Sequence, residues 1–177
     1  MPKVPDWRGQ VHPVALEWCG PIDYPDLIEE RLRPEHHSFL DEYVGIYFWR
    51  AKSGVFARTN LYVGQTWQGL LQRSKQHLKG DLGEKLRMLH EQGKLAYVWC
   101  AAVAVYPERK RLPEGFPEVL FDTLERVFIC HFTPLWNVQC RVEAVLPLTL
   151  EITNTGSLPP EVRSRMRFEA GKYVLMP

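Results

Sequence analysis

Residues 95–106 read LAYVWCAAVAVY, twelve positions with no charge and no turn former. The run is too short for a membrane-spanning helix, which needs about 20 apolar residues. Its β-branched and aromatic content and lack of alternation describe a strand covered on both faces. Such a strand needs neighbours on each edge and a layer above and below it. The chain is therefore expected to fold as a layered sheet.

The remaining segments supply the layers. Residues 1–25 are Pro-rich and read as irregular, and 25–43 as one or two short helices broken at Pro34. Residues 44–50 predict a strand, 51–59 a turn and 60–64 a return strand. A helix over 67–78 is expected, with Thr66 as its N-cap and Trp67, Leu70, Leu71 and Leu78 on one stripe. A second helix spans 82–91 and stops at Gly93. Residues 107–117 form a loop, and 118–131 a helix that is apolar nearly all round, hence buried. The tail shows strand signals at 141–146 and 172–175, with a helix near 160–166.

This order predicts an α+β fold. A small antiparallel or mixed central sheet, made of the hairpin and the buried strand, is flanked by helices and carries N- and C-terminal embellishments. At 177 residues the chain suits one domain. The expected division is an extension over 1–43, a core over 44–138 and a C-terminal extension over 139–177 packed on that core.

No window approaches 18 uninterrupted apolar residues, and MPKVPDWRGQ lacks a signal peptide's apolar stretch. A soluble, cytoplasmic protein without a membrane partner is expected. Cys19, Cys100, Cys130 and Cys140 stand far apart and read as free thiols rather than a zinc site. His36-His37 reads as a solvated helix face. The net charge of +1 argues against a generally sticky nucleic-acid binder. Yet residues 50–94 hold nine Lys/Arg against three Asp/Glu, an excess of six that leaves the rest of the chain at −5. Focused positive charge of this kind suits a polyanion, though a solvated helix face shows the same excess.

Several polar residues sit where packing alone does not call for them. Gly45-Ile46-Tyr47 and Tyr62-Val63-Gly64 are near mirror images in the two hairpin strands, and a hairpin does not require those glycines. Arg73 and His77 are four apart, neighbours at the edge of an apolar stripe and facing a cleft with the sheet. Glu125 lies near the apolar zone of its helix, between Phe121 and Phe128, where a carboxylate needs a partner, a metal or an escape to solvent. Asn137 follows in the loop TPLWN.

Taken in order, Gly45-Ile46-Tyr47, Tyr62-Val63-Gly64, Arg73-x3-His77, Glu125 and Asn137 resemble the GIY-YIG endonuclease family over residues 44–138. Val63 stands where relatives usually have Ile. The triplets are separated by fourteen residues, a few more than is typical. Arg50 stands where many relatives carry Lys, and it cannot act as a base at neutral pH.

The resemblance implies hydrolysis of phosphodiester bonds in DNA by a metal-dependent endonuclease. Glu125 would bind one Mg²⁺, for which Mn²⁺ substitutes. Arg73 would stabilise the phosphorane. Tyr47 would serve as general base or proton relay, helped by cations such as Arg50 and Arg73. His77 would orient or deprotonate a tyrosine, Tyr62 would position water or phosphate, and Asn137 would hold the phosphate or the Glu125 loop. Gly45 and Gly64 would let a phosphate backbone approach closely, with Arg50, Lys75 and Lys79 as further DNA contacts. Duplex DNA is the favoured partner, with single-stranded or branched DNA open, and a homo-oligomer is compatible. Two other readings stay open: a nucleic-acid-binding module of this fold without cleavage, and an unrelated α+β protein.

Overall fold

The computed structural model describes residues 9–42, 44–51, 59–104, 116–138 and 143–174. Strand β1 (Val11–Asp23) leads into the short helices α1 (Tyr24–Ile28) and α2 (Pro34–Glu42). The hairpin strands β2 (Gly45–Ala51) and β3 (Asn60–Thr66) are followed by α3 (Leu70–Leu78), α4 (Asp81–Glu91), β4 (Ala96–Ala104) and α5 (Phe116–Phe132). Strands β5 (Glu143–Leu146), β6 (Thr149–Gly156), β7 (Arg165–Phe168) and β8 (Gly171–Val174) complete the chain.

Six strands form one mixed sheet in the order β3-β2-β4-β1-β6-β7, while β5 and β8 pair separately. The apolar run forms β4 and lies inside this sheet, between β2 and β1. Its alternate residues serve two cores. Trp99, Ala101 and Val103 face α5, whose Leu120, Leu124, Val127 and Phe128 are buried against them. Ala96, Val98 and Cys100 face the layer of α1 to α4, meeting Leu40, Leu71, Leu82 and Leu86. Continuous apolar character thus resolves into two interleaved faces with no polar side to present. Phe48 stacks on Phe132 with ring centroids 4.0 Å apart, fixing α5 on the hairpin.

Three expectations are corrected. Residues 11–23 are not irregular: they alternate between exposed and buried positions, with His12, Val14, Leu16 and Trp18 inward, and form an internal strand pairing with both β4 and β6. Pro13 and Pro21 spoke against a strand, but a shift of register between Cys19 and Ile22 absorbs the second. The segment near 160–166 is not a helix, and β7 starts at Arg165. It pairs with β6, whose alternation of Leu150, Ile152 and Asn154 inward is masked in sequence by threonines. Finally, α3 begins at Leu70 rather than 67, capped by Gly69 at φ +87°. The Thr66 hydroxyl is used within the bend, accepting the Gln68 N–H (3.1 Å) and donating to the Gly69 carbonyl (3.3 Å).

The turn expected at 51–59 and the loop at 107–117 fall mostly outside the described residues. Cys19, Cys100 and Cys130 are free thiols. No helix among the described residues is long and apolar enough to cross a membrane.

Candidate active site

The site is assembled around β3, an edge strand of the main sheet. Antiparallel pairing sets Tyr47 opposite Gly64 and Trp49 opposite Tyr62, so these four residues share a face. A Cβ at Gly64 would fall on the Tyr47 phenol, and one at Gly45 would collide with the Ala101 carbonyl of β4. The expectation that these glycines leave room for a phosphate backbone is therefore replaced. Gly64 leaves room for the Tyr47 ring, and Gly45 for the neighbouring strand.

Tyr47 is 1% exposed. Its hydroxyl lies 3.3 Å from His77 Nε2 and 3.4 Å from Nδ1, at the long end of hydrogen bonding. The Tyr47, Tyr62 and His77 rings stand 5.7–6.0 Å apart, centroid to centroid. Burial pushes the Tyr47 phenol well above its usual range, Tyr62 adds to this, and the Arg73 guanidinium beside it pulls back without prevailing. The Tyr62 phenol is raised by burial and by Glu125, against a hydrogen bond with Tyr47 and the charge of Arg73. Burial and then Arg73 lower the His77 pKa from 6.5. At neutral pH the cluster therefore holds two neutral phenols, a neutral imidazole and one guanidinium.

Arg73 and His77 come together because α3 lays its buried face, Leu71 and Ser74, on the sheet and leaves these two at one border. Lys75 and Lys79 lie roughly 200° and 240° round the helix from Arg73. They do not join the cluster. Lys75 pairs with Glu30 at 2.8 Å, and Lys79 is exposed at the C-cap. Arg50 is excluded too: it alternates onto the α5 face with Ile46 and Phe48 and bonds Glu161 at 2.6 Å. It is no cation for Tyr47.

Glu125 comes from α5, on the other side of β3. Gln65, paired with Ile46 on that face, donates through Nε2 to Glu125 Oε2 (3.2 Å) and adds a backbone hydrogen bond. Burial raises the Glu125 pKa, Asp122 raises it further, and Gln65 and Arg73 oppose them. Arg73 thus acts electrostatically on groups of both faces, Tyr47 and Glu125. A cleft of about 280 Å³ beside the strand is lined by Tyr62, Asp122, Glu125, Ile129, Trp136 and Asn137, among others. Tyr62 is the only member of the tyrosine–histidine cluster lining it.

Asn137 has a structural task. Its Oδ1 accepts the Val63 N–H and its Nδ2 donates to the Val63 carbonyl, both at 2.9 Å. With the Leu135 and Trp136 N–H groups bonding the Asn60 and Leu61 carbonyls, the loop after α5 closes the exposed edge of β3. Of its two expected roles, the one observed is holding the loop after Glu125, with both polar groups committed.

Among the described residues no group of three or more His, Cys, Asp or Glu could hold a metal. The oxygen donors at the cleft include the carboxylates of Glu125 and of Asp122, the latter paired with Arg126 at 2.9 Å. Beside Glu125 lies Gln65 Oε1, a buried oxygen with no hydrogen-bond partner. Hard oxygens of this kind, with water and phosphate oxygen completing the shell, suit Mg²⁺. Gln65 and Trp136 were not singled out from the sequence, and Trp67 was read only as part of the α3 apolar stripe, whereas it precedes α3 and is half exposed. Polar or aromatic character at a strand end or loop carries no signal until the partner helix is placed. Comparison with models of known families, with curated proteins and with solved structures found no match to the chain.

Proposed function

We propose that this protein is a metal-dependent DNA endonuclease of the GIY-YIG type. The observation that carries the reading is the closed tyrosine–tyrosine–histidine cluster with Arg73 on one side of β3 and the Glu125 carboxylate at the cleft on the other. Arg73 is placed to hold a phosphate two-pronged and to offset the charge that develops on it. A divalent metal held by Glu125, with Gln65 Oε1 beside it, would neutralise charge on the phosphate and the departing oxygen.

The direction of the proton shifts favours one of the two roles considered for Tyr47. A phenol raised by burial is no preformed base, so Tyr47 relays. Tyr62 faces the cleft and hydrogen-bonds Tyr47, and Tyr47 reaches His77. The order is therefore attacking water, Tyr62, Tyr47, His77. Each hydroxyl accepts one proton as it gives up another, and the neutral imidazole takes the last. Tyr62 becomes the residue that touches the water, and Tyr47 the inner link.

Nicking of supercoiled plasmid in Mg²⁺, with and without EDTA, tests the activity. Cleavage by the parent protein and its loss in Glu125→Ala, with DNA binding retained, is the expected result. A tenth of the parent rate surviving in Glu125→Ala would show that the carboxylate does not carry the metal. DNA binding without cleavage by the parent protein would instead favour a silent binding module.

A further inference from the structure

Trp67 packs on α5 one helical turn before Glu125 and has no part in the relay. It lies in the bend between β3 and α3, two residues past Gln65. Its indole leans on Phe121 with centroids 4.0 Å apart and planes at 31°. Phe121 is buried, and it precedes Glu125 by one turn of α5. Trp67 nevertheless remains 47% exposed. An indole backed by a buried ring is oriented without being covered. One turn after Glu125, Ile129 lines the cleft together with Trp136. The carboxylate thus has one indole packed a helical turn before it and shares its cleft with a second, and the Arg73 charge reaches it.

Resting on the phosphodiesterase reading, we infer that Trp67 is a stacking platform for an unpaired nucleobase next to the phosphate that is cut. The substrate class is then DNA with an unpaired or unstacked nucleotide at the cut, such as the bases that torsion opens in a negatively supercoiled plasmid, rather than a relaxed continuous duplex. In a continuous duplex both faces of every base are covered by neighbours, and an indole has nothing to stack on. An unpaired base offers a free π-face, and aromatic side chains beside a cationic groove take it up without regard to sequence. A base and its phosphate are joined through one sugar. A platform one helical turn from the carboxylate therefore engages the nucleotide being processed rather than a distant one.

The test uses the full chain carrying Glu125→Gln, which blocks cleavage, and three labelled oligonucleotides: a continuous duplex, that duplex with one unpaired central nucleotide, and the single strand. The Glu125→Gln protein should bind the two unpaired forms more tightly than the duplex. Adding Trp67→Ala should weaken them by about ten-fold more than it weakens the duplex, as expected when one base–aromatic stack is lost. Trp67→Phe, which keeps an aromatic face on Phe121, should restore most of the difference. A second readout does not depend on the alanine variant folding well. The part of the emission contributed by Trp67, taken as the difference from Trp67→Phe, should be quenched by the unpaired forms and not by duplex. Equal weakening of all three DNAs with no selective quenching, or a preference for continuous duplex, would overturn the inference while leaving the nuclease reading intact. Absence of cleavage of every DNA by the wild-type chain in Mg²⁺ would instead remove the reading on which it rests.

Discussion

Removing either hydroxyl of the tyrosine pair tests the relay more sharply than removing a charge. Tyr47→Phe keeps the buried ring and deletes an oxygen that contacts His77 and hydrogen-bonds Arg73 and Tyr62. Losing such a hydrogen bond costs about 1 kcal/mol, a fall in Tm of roughly 2–4 °C for a domain of this size. The variant stays folded at assay temperature. Its cleavage rate should fall by about a hundred-fold or more, the contribution of a positioned proton acceptor. Tyr62→Phe should fall as far, because Tyr62 is the cleft-facing end of the chain and reaches His77 through Tyr47. Two links of one relay cannot be broken twice, so the double variant should cut within a few-fold of either single one. The assay is single-turnover cleavage of supercoiled plasmid at saturating protein and fixed Mg²⁺, with dissociation constants measured separately. Multiplying losses in the double variant would mean that the tyrosines act independently. Near-normal cleavage by Tyr62→Phe would mean that water reaches Tyr47 directly, and the order proposed here would be wrong.

Three further outcomes are expected. His77 must be neutral to take the relayed proton, and burial with Arg73 holds its pKa below 6.5; the rate should persist from neutrality past pH 6.5 and fall only below it. A decline beginning at or above pH 6.5 in the pH–rate profile, absent in His77→Gln, would contradict this. Arg50→Ala breaks the pair with Glu161 on the α5 face, so it should lower Tm while leaving the rate of the folded protein and the salt dependence of DNA binding unchanged. Gly64→Ala puts a methyl group onto the Tyr47 phenol; overpacking should cost about 1–3 kcal/mol in denaturant unfolding and depress cleavage by displacing the relay.

The central architecture was legible because its signals are local and redundant. An uninterrupted apolar run, a hairpin with aromatic strands and two helices with clear stops each identify themselves within about a dozen residues. The flanks were not, for physical reasons that differ. β1 carries Pro13 and Pro21, which count against a strand in isolation, yet its inward His12, Val14, Leu16 and Trp18 keep the alternation. β6 spreads its apolar residues among threonines, and its inward Asn154 looks like a loop residue until Trp18 is placed against it. There Nε1 donates to Asn154 Oδ1 at 2.9 Å, and Asn154 Nδ2 donates to the Arg163 carbonyl. A buried amide that binds a buried indole across 136 residues has no local signature.

For the site, the order of residues anticipated that Tyr47, Tyr62, Arg73 and His77 come together, but not where the other candidates go. Arg50 follows Tyr47 by three positions, and strand alternation alone puts it on the opposite face, where it pairs with Glu161. Lys75 and Lys79 share a helix with Arg73 but not its border. Asn137 reads as a turn residue or a phosphate ligand, yet β3 is an edge, and an edge strand leaves backbone groups unpaired. The Asn137 amide, presenting an N–H donor and a carbonyl acceptor side by side, fits that deficit at Val63. The paired glycines follow the same logic. Tyr47 and Gly64 face each other because the hairpin register puts them there, and a large ring can lie flat across a neighbouring strand only where that strand has no side chain. The two triplets are therefore one device. The glycine of the second makes the place in which the tyrosine of the first is buried, and burial there is what keeps that phenol neutral.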